Sequence, residues 1–108
     1  MFITNLQSAE SWFEVMQTTD RSQTAVMNLD PGQSSGDSKE AHPESDQVLI
    51  VLDGEVLAEV ADESARMCKG DVVVIPAGVS HRFVNQGGTT ARTFSVYAPP
   101  AYPPTGEN

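Results

Sequence analysis

Short bursts of apolar residues, many of them β-branched or aromatic, recur along the chain and are separated by Gly, Pro, Asp and Asn. This pattern shows little helical periodicity and is typical of an all-β domain, because β-branched and aromatic residues favour strands whereas Gly, Pro, Asp and Asn favour turns. Strands this short and this closely spaced indicate a sandwich or barrel. The predicted strands are residues 11–18, 23–29, 47–52, 55–61, 64–68, 72–75, 80–85 and 89–97.

The dipeptide Asp53-Gly54 lies between two of these apolar runs, residues 47–52 and 55–61. Asp-Gly suits the positive backbone angles of a two-residue turn between antiparallel strands. The sequence therefore predicts that the two runs form a β-hairpin closed by this dipeptide.

Length and composition favour one domain. A chain of 108 residues lies within the usual range for a single hydrophobic core. We expect a single domain over residues 1–108, with a core barrel at about 22–98. The proline-rich segment 99–108 cannot continue a sheet, so it is expected to be extended, either loose or leaning on a partner subunit.

The balance of charge excludes several classes of partner. Acidic residues outnumber Lys and Arg by 15 to 6, which gives a formal net charge of -9. This charge repels nucleic acid and anionic membrane surfaces, and the six basic residues are too scattered to form a patch. The longest apolar runs are too short to cross a bilayer, and the first residues lack the features of a signal peptide.

The single cysteine, Cys68, cannot form a disulfide within the chain. An unpaired thiol fits a reducing compartment better than a secreted protein, so a cytoplasmic location is expected. Cys68 itself is expected to be a small buried or half-buried hydrophobic residue rather than a catalytic nucleophile.

The chain has two histidines, His42 and His81, and each lies where a predicted loop meets a strand. One histidine alone is more often a hydrogen-bonded structural residue than a ligand. The surrounding residues must therefore decide between the two roles.

Around His81 the chain reads G-x5-P-A-G-x2-H-x3-N from Gly70 to Asn85. This stretch resembles the second motif of the cupin superfamily at each of its fixed positions. The alternation of a strand places His81, Phe83 and Asn85 on one face, which we expect to point inward. The resemblance implies an all-β fold, the cupin-type double-stranded β-helix or jelly-roll barrel.

The first cupin motif is normally a glycine, five residues, His-x-His, three or four residues, Glu, six residues and Gly. The matching stretch here begins at Gly32, with seven residues before Glu40, which takes the place of the first histidine. His42 takes the place of the second histidine, and Gln47 takes the place of the glutamate. The pattern resembles a Glu-x-His…Asp-Gln variant found among small single-domain cupins.

The resemblance implies a divalent metal ion held by Glu40, His42, Gln47 and His81. Two imidazoles, a carboxylate and a carboxamide suit zinc, manganese, iron or nickel. Asp46 is an alternative to Gln47 and is the stronger ligand by charge. Strand parity opposes it, because Asp46 faces outward if Gln47 faces inward, although a bulge at the turn would exchange the two.

Two functions remain open at this point. The first is a metal-dependent enzyme, isomerase-like or dioxygenase-like, acting on a small oxygenated metabolite bound in the barrel, with Glu40 doubling as a general base. The second is a non-catalytic sugar- or metabolite-binding or sensor protein without an essential metal. Four aromatic residues are candidates for lining a ligand pocket, although ordinary packing in the core is the expected role of each: Trp12, Phe83, Phe94 and Tyr97.

The resemblance also implies a homodimer formed by exchange of N-terminal strands. Apolar residues near the start of the chain supply the surface that such an exchange would bury. They are Phe2, Ile3, Leu6, Trp12 and Phe13.

Overall fold

The computed structural model describes residues 1–104, which form eight β-strands preceded by a short 3-10 helix at Leu6–Ser8. All eight predicted strands are present, each within two residues of its predicted ends. Within this part of the chain, no helix is long and apolar enough to span a bilayer. The strands are β1 (Phe13–Thr18), β2 (Gln23–Leu29), β3 (Asp46–Asp53), β4 (Glu55–Val60), β5 (Glu63–Cys68), β6 (Val72–Ile75), β7 (His81–Val84) and β8 (Ala91–Ala98).

The strands form two antiparallel sheets, one of five strands in the order β1-β2-β8-β3-β6 and one of three in the order β5-β4-β7. A cluster of buried apolar side chains from both sheets fills the space between them. Alternation along β3 is as predicted, since Gln47, Leu49 and Val51 are buried while Asp46 and Val48 are exposed. The all-β jelly-roll prediction is therefore confirmed.

The predicted hairpin at Asp53-Gly54 is wrong. Strand β3 pairs with β6 and β8, whereas β4 pairs with β5 and β7, so the dipeptide carries the chain from one sheet to the other. Gly54 has the positive φ expected of a tight turn, at 75°, but a Cβ there would lie 2.8 Å from the carbonyl oxygen of Thr90. The glycine therefore permits a close-packed corner between sheets, a role that turn propensity alone does not distinguish from a hairpin.

The hairpin in this region joins β4 to β5 through Ala61 and Asp62. Ala61 adopts a left-handed conformation with φ of 53°, which alanine rarely takes. The predicted strand 55–61 includes Ala61 because alanine gives no turn signal.

Cys68, at the end of β5, is exposed rather than buried, since Met67 is the residue of that strand that points into the core.

Residues 99–104 of the proline-rich segment pack against the body of their own chain. The Gln23 side chain accepts hydrogen bonds from the backbone N–H groups of Ala101 and Tyr102, at 3.1 and 3.0 Å, and donates one to the Tyr102 carbonyl, at 2.8 Å. Ser45 Oγ donates to the Pro100 carbonyl at 3.3 Å. Residues 105–108 of the predicted tail lie outside the described residues.

Candidate functional site

A cavity of about 270 Å³ opens between the two sheets, at the end of the barrel where the two histidines lie. Its wall combines polar side chains with a large share of aromatic ones. The lining residues are Trp12, Phe13, Ala25, Val26, Met27, Ser35, Glu40, His42, Gln47, His81, Phe83, Ser95, Tyr97 and Tyr102. All four predicted ligand residues therefore face one cavity.

His81 is fixed by its own strand and by a hydrogen bond from its ring. It begins β7, its side chain is buried, and its Nδ1 lies 3.0 Å from the carbonyl oxygen of Val79. A carbonyl only accepts, so Nδ1 carries the proton and donates it. In the neutral ring Nε2 then has a free lone pair, which is the state of a histidine prepared to bind a metal.

His42 comes from the loop before β3 and meets His81 across the cavity, with 5.1 Å between the ring centroids. Its backbone carbonyl accepts a hydrogen bond from Gly78 at 2.8 Å, which ties the first motif to the turn of the second. Burial lowers the pKa of His42, and the nearby His81 lowers it further, although Glu40 opposes both. The ring is therefore neutral at pH 7 and free to act as a ligand.

Gln47 has a buried oxygen without a partner. The residue is 3 % exposed, and its Nε2 donates to Ser95 Oγ at 3.1 Å. Its Oε1 is buried and accepts no hydrogen bond from the described residues. A buried acceptor left unpaired costs about 1–3 kcal/mol, so this oxygen is well placed to gain from a cation or a ligand donor.

Asp46, the alternative ligand, points to the other face of β3. It is exposed, and its Oδ1 accepts a hydrogen bond from the Ala77 N–H at 2.9 Å. No bulge exchanges it with Gln47, because the pairing of β3 with β6 and β8 is regular at this end. The parity argument for Gln47 therefore agrees with the structure, and Asp46 anchors the turn before β7.

Glu40 lies at the rim of the cavity. Its backbone forms an isolated antiparallel bridge with His81, with N···O distances of 3.0 and 2.8 Å, so the two side chains project to the same side. Glu40 is exposed, yet its carboxylate is close enough to act on the pKa of His42, Tyr97 and Tyr102. Across residues 1–104, no three His, Cys, Asp or Glu side chains are arranged to hold a metal ion.

The aromatic part of the wall includes Tyr102, which the sequence did not single out, as well as Trp12, which it did. Tyr102, from the proline-rich segment, lies with ring centroids 4.9 Å from Phe13, 5.2 Å from Tyr97 and 5.4 Å from His42. Trp12 lines the cavity while remaining 46 % exposed. A single tyrosine among prolines is the one feature of the sequence that points to Tyr102. Its position could not be predicted, because the residue that holds it, Gln23, lies far away in the sequence.

The remaining aromatic predictions divide in two. Phe83 and Tyr97 are buried and also line the cavity, so each serves both the packing and the pocket. Phe94 does not line the cavity. Burial, assisted by Tyr102, raises the pKa of Tyr97 well above its ordinary value, and burial also raises the pKa of Tyr102. Both hydroxyls therefore stay protonated at neutral pH.

Comparison with known proteins agrees with this architecture. The family profile described as "Cupin domain" matches residues 25–97, well over half of the chain. The chain belongs to the cupin family. The match takes in both motifs and the strands between them, so the resemblance drawn from those motifs is confirmed.

Among the relatives of this cupin is the Bacillus subtilis protein YrkC, 30 % identical over 87 residues, which cover 75 % of this chain and 46 % of YrkC. An auxin-binding protein of Prunus persica is 33 % identical over 82 residues, which cover 71 % of this chain and 39 % of that protein. The cupin spans about half the length of these curated relatives, or less.

Solved structures share the fold. A Bacillus halodurans protein superposes with a TM-score of 0.85 at 27 % identity and covers 94 % of this chain and 83 % of its own. A predicted oxalate decarboxylase of Thermotoga maritima superposes with a TM-score of 0.69 at 26 % identity, over 75 % of this chain and 69 % of its own. A sugar phosphate isomerase of Silicibacter pomeroyi superposes with a TM-score of 0.67 at 26 % identity. The match covers 74 % of this chain and 52 % of the isomerase.

The residues around the cavity suit a divalent metal ion in their donor chemistry. The lowered pKa of His42 favours its neutral ring, His81 directs its Nδ1 to the Val79 carbonyl, and the unpaired Gln47 oxygen faces the same cavity. Such a mixed nitrogen and oxygen set fits zinc, manganese, iron or nickel. His42, His81 and Gln47 would be the ligands, with Glu40 next to them at the rim.

Proposed function

We propose that this cupin binds one divalent metal ion through His42, His81 and Gln47 and acts on a small oxygenated metabolite in its cavity. The buried, unpaired Oε1 of Gln47 carries the proposal, because it faces the cavity that the imidazoles of His42 and His81 also line. A bound metal ion supplies Lewis-acid polarisation of a carbonyl or enediol oxygen. The solved relatives described as a sugar phosphate isomerase and a predicted oxalate decarboxylase support this class of chemistry.

Glu40 is the proposed general base. Its carboxylate is exposed at the rim of the cavity. A carboxylate that is not committed to a metal is free to take a proton from a carbon next to a polarised carbonyl. The arrangement therefore supports an isomerase-like proton transfer better than a role for Glu40 as a fourth ligand.

A second function, ligand binding without catalysis, is favoured by the aromatic share of the wall. Trp12, Phe13, Tyr97 and Tyr102 give the cavity a binding surface that needs no metal. The name of the auxin-binding relative is in keeping with such a role. A cupin of this kind would capture a metabolite and signal through a partner protein.

Metal analysis separates the two functions. Purified protein is dialysed against limiting zinc, manganese, iron and nickel, and bound metal is measured by inductively coupled plasma mass spectrometry. We expect about one ion per chain in the wild type, a loss of at least tenfold in His81→Ala, and no loss in Glu40→Ala or in the control Glu44→Ala. A wild type that stays free of metal and still binds a metabolite would establish the second function instead.

Catalysis by Glu40 has its own control. If Glu40 is the base, Glu40→Gln keeps its metal but loses about a hundredfold or more of the turnover of an isomerisable substrate. Equal turnover in both proteins would remove Glu40 from the mechanism.

The exposed thiol of Cys68 also leads us to propose a reducing, cytoplasmic setting for this activity.

A further inference from the structure

The side of the cavity next to the candidate ligands is an aromatic wall formed by Trp12, Phe13, Tyr97 and Tyr102. Tyr102 joins the others through ring contacts at 4.9 Å to Phe13 and 5.2 Å to Tyr97. These side chains come from three separate parts of the chain, namely the start of β1, the end of β8 and the proline-rich segment. A wall assembled in this way presents ring edges and faces to whatever enters the cavity.

Tyr102 is held there by a buried polar anchor. Gln23 is 1 % exposed, and its side chain makes three hydrogen bonds to the backbone of Ala101 and Tyr102, at 2.8 to 3.1 Å. Its Nε2 also donates to Thr18 Oγ1 at 3.0 Å. Because the buried Gln23 side chain binds the backbone on both sides of Tyr102, it fixes the position of the Tyr102 ring before any ligand binds.

The charge of the lining limits what can bind. Glu40 is the one acidic residue that lines the cavity, and no Lys or Arg from residues 1–104 lines it. The chain as a whole carries a net charge of -9. In the metal-free protein an anionic ligand therefore meets repulsion from Glu40 without any cationic side chain to offset it. An organic cation gains little, because Glu40 is exposed to water and screened.

The size of the cavity adds a further restriction. At about 270 Å³ it lies just below the usual range for small-molecule pockets, so it suits a ligand with a single ring. Its polar groups, including Gln47 and the two imidazoles, border the rings directly, since the His42 ring lies with centroids 5.1 Å from Tyr97 and 5.4 Å from Tyr102. A ligand that matches both kinds of group has a flat ring and oxygen substituents at one edge.

We propose that the cavity selects an uncharged single-ring aromatic molecule with neighbouring oxygen substituents, and that Tyr102 is the residue that determines this specificity. The inference rests on the proposed function for the place where the ligand binds, and it adds the class of ligand.

Four probes of similar size test the class of ligand. Catechol is the uncharged aromatic probe, trans-cyclohexane-1,2-diol has the same oxygens without the ring, salicylate is anionic, and benzyltrimethylammonium is cationic. Binding is measured by isothermal titration calorimetry on the full chain, both as purified and after removal of metal by a chelator. We expect catechol to bind at least tenfold more tightly than each of the other three in the metal-free protein.

Two variants test the residue. Tyr102→Leu keeps an apolar side chain but removes the ring, so catechol should bind about tenfold more weakly, while Tyr102→Phe should bind as the wild type does. Phe94→Leu is the matched control, because Phe94 is half-buried and does not line the cavity. Circular dichroism and thermal unfolding confirm that each variant is folded. The fluorescence of Trp12, the one tryptophan, reports binding independently.

Tighter binding of salicylate, of the cyclohexanediol or of the cation than of catechol would overturn the proposal. So would unchanged catechol affinity in a folded Tyr102→Leu. These results are independent of metal content: protein that fails to take up metal but prefers catechol refutes the metal proposal alone. Protein that takes up one metal ion per chain but shows no preference for catechol refutes the ring proposal alone.

Discussion

Asp46 and Gln47 are neighbours in the chain, yet their side chains lie on opposite faces of β3. Gln47 is buried at the cavity and leaves its Oε1 unpaired, whereas Asp46 is exposed and accepts a hydrogen bond from the Ala77 N–H at 2.9 Å. The period of two along a strand makes these roles exclusive. The two positions should therefore respond differently to substitution.

Asp46→Ala should destabilise the fold without changing metal uptake. The loss of one hydrogen bond to the turn before β7 costs about 1 kcal/mol in the free energy of unfolding, measured by urea titration. Asp46→Asn is the matched control, because an amide oxygen can still accept from Ala77. Loss of metal in Asp46→Ala with an unchanged unfolding midpoint would instead make Asp46 the ligand.

Gln47→Glu should affect the protein in opposite directions with and without metal. In metal-free protein the new carboxyl group is buried without a cationic partner, and we expect a loss of about 1–3 kcal/mol of stability. A carboxylate is a stronger ligand than a carboxamide, so affinity for zinc or manganese should rise by about tenfold, or about 1.4 kcal/mol. Thermal unfolding with metal and with chelator measures both effects. A variant destabilised equally under both conditions would contradict a metal-binding role.

His42 should make metal-free protein less stable as the pH falls below neutrality. Burial, with help from His81, holds the pKa of His42 below its ordinary value of about 6.5, so the unfolded chain binds the proton more readily. Stability is therefore unaffected by this group above about pH 6.5 and is lost as the pH falls below it. Urea titrations at pH 7.5 and 5.5 in chelator should show a smaller pH dependence for His42→Gln than for the wild type. If the free energy of unfolding changes equally with pH in the two proteins, the His42 side chain is not buried.

Sequence patterns predicted the strands and the inward residues well, because both depend on short-range alternation. The period of two along β3 and β7 was enough to place Gln47 and His81 inside. The motif spacing then placed His42 in the same cavity. Glu40 lines the same cavity, but its position at the rim depends on the path of its loop, which alternation does not determine.

Pairing between distant segments was beyond the sequence. Asp53-Gly54 has the local conformation of a turn, but the pairing of β3 and β4 with other strands decides that it joins two sheets. Tyr102 lies in a segment without strand or helix signals, and its place depends on a hydrogen bond to Gln23 from 79 residues away. Both depend on tertiary contacts, which local propensity does not encode.

Gly54 and Gly70 both have positive φ, at 75° and 91°, but they differ in the space around them. A Cβ on Gly54 would lie 2.8 Å from the Thr90 carbonyl oxygen and 2.9 Å from the Ala91 Cα, whereas a Cβ on Gly70 would meet nothing within 4 Å. Gly70→Ala should cost about 1 kcal/mol from backbone strain alone, and Gly54→Ala should cost about 3 kcal/mol or more. Urea titration compares them, and equal costs would mean that the corner at Gly54 can relax.

A homodimer is expected to form through the N-terminal segment. Phe2 and Ile3 are 51 % and 77 % exposed, and the segment runs beside the edge strand β1, where Gln17 Nε2 donates to the Phe2 carbonyl at 3.0 Å. An exposed edge strand and an apolar segment together favour exchange between two copies. Light scattering at micromolar concentration should give twice the mass of one chain.

Substitutions on two surfaces identify which one forms the dimer. The double variant Phe2→Ser with Ile3→Ser should shift the dimer toward the mass of one chain. Val72→Ser with Val74→Ser is the matched control, because these two valines are each 57 % exposed on β6, at the opposite edge of the same sheet. Dissociation in the valine variant alone would move the interface to β6. A wild type with the mass of one chain would exclude both surfaces.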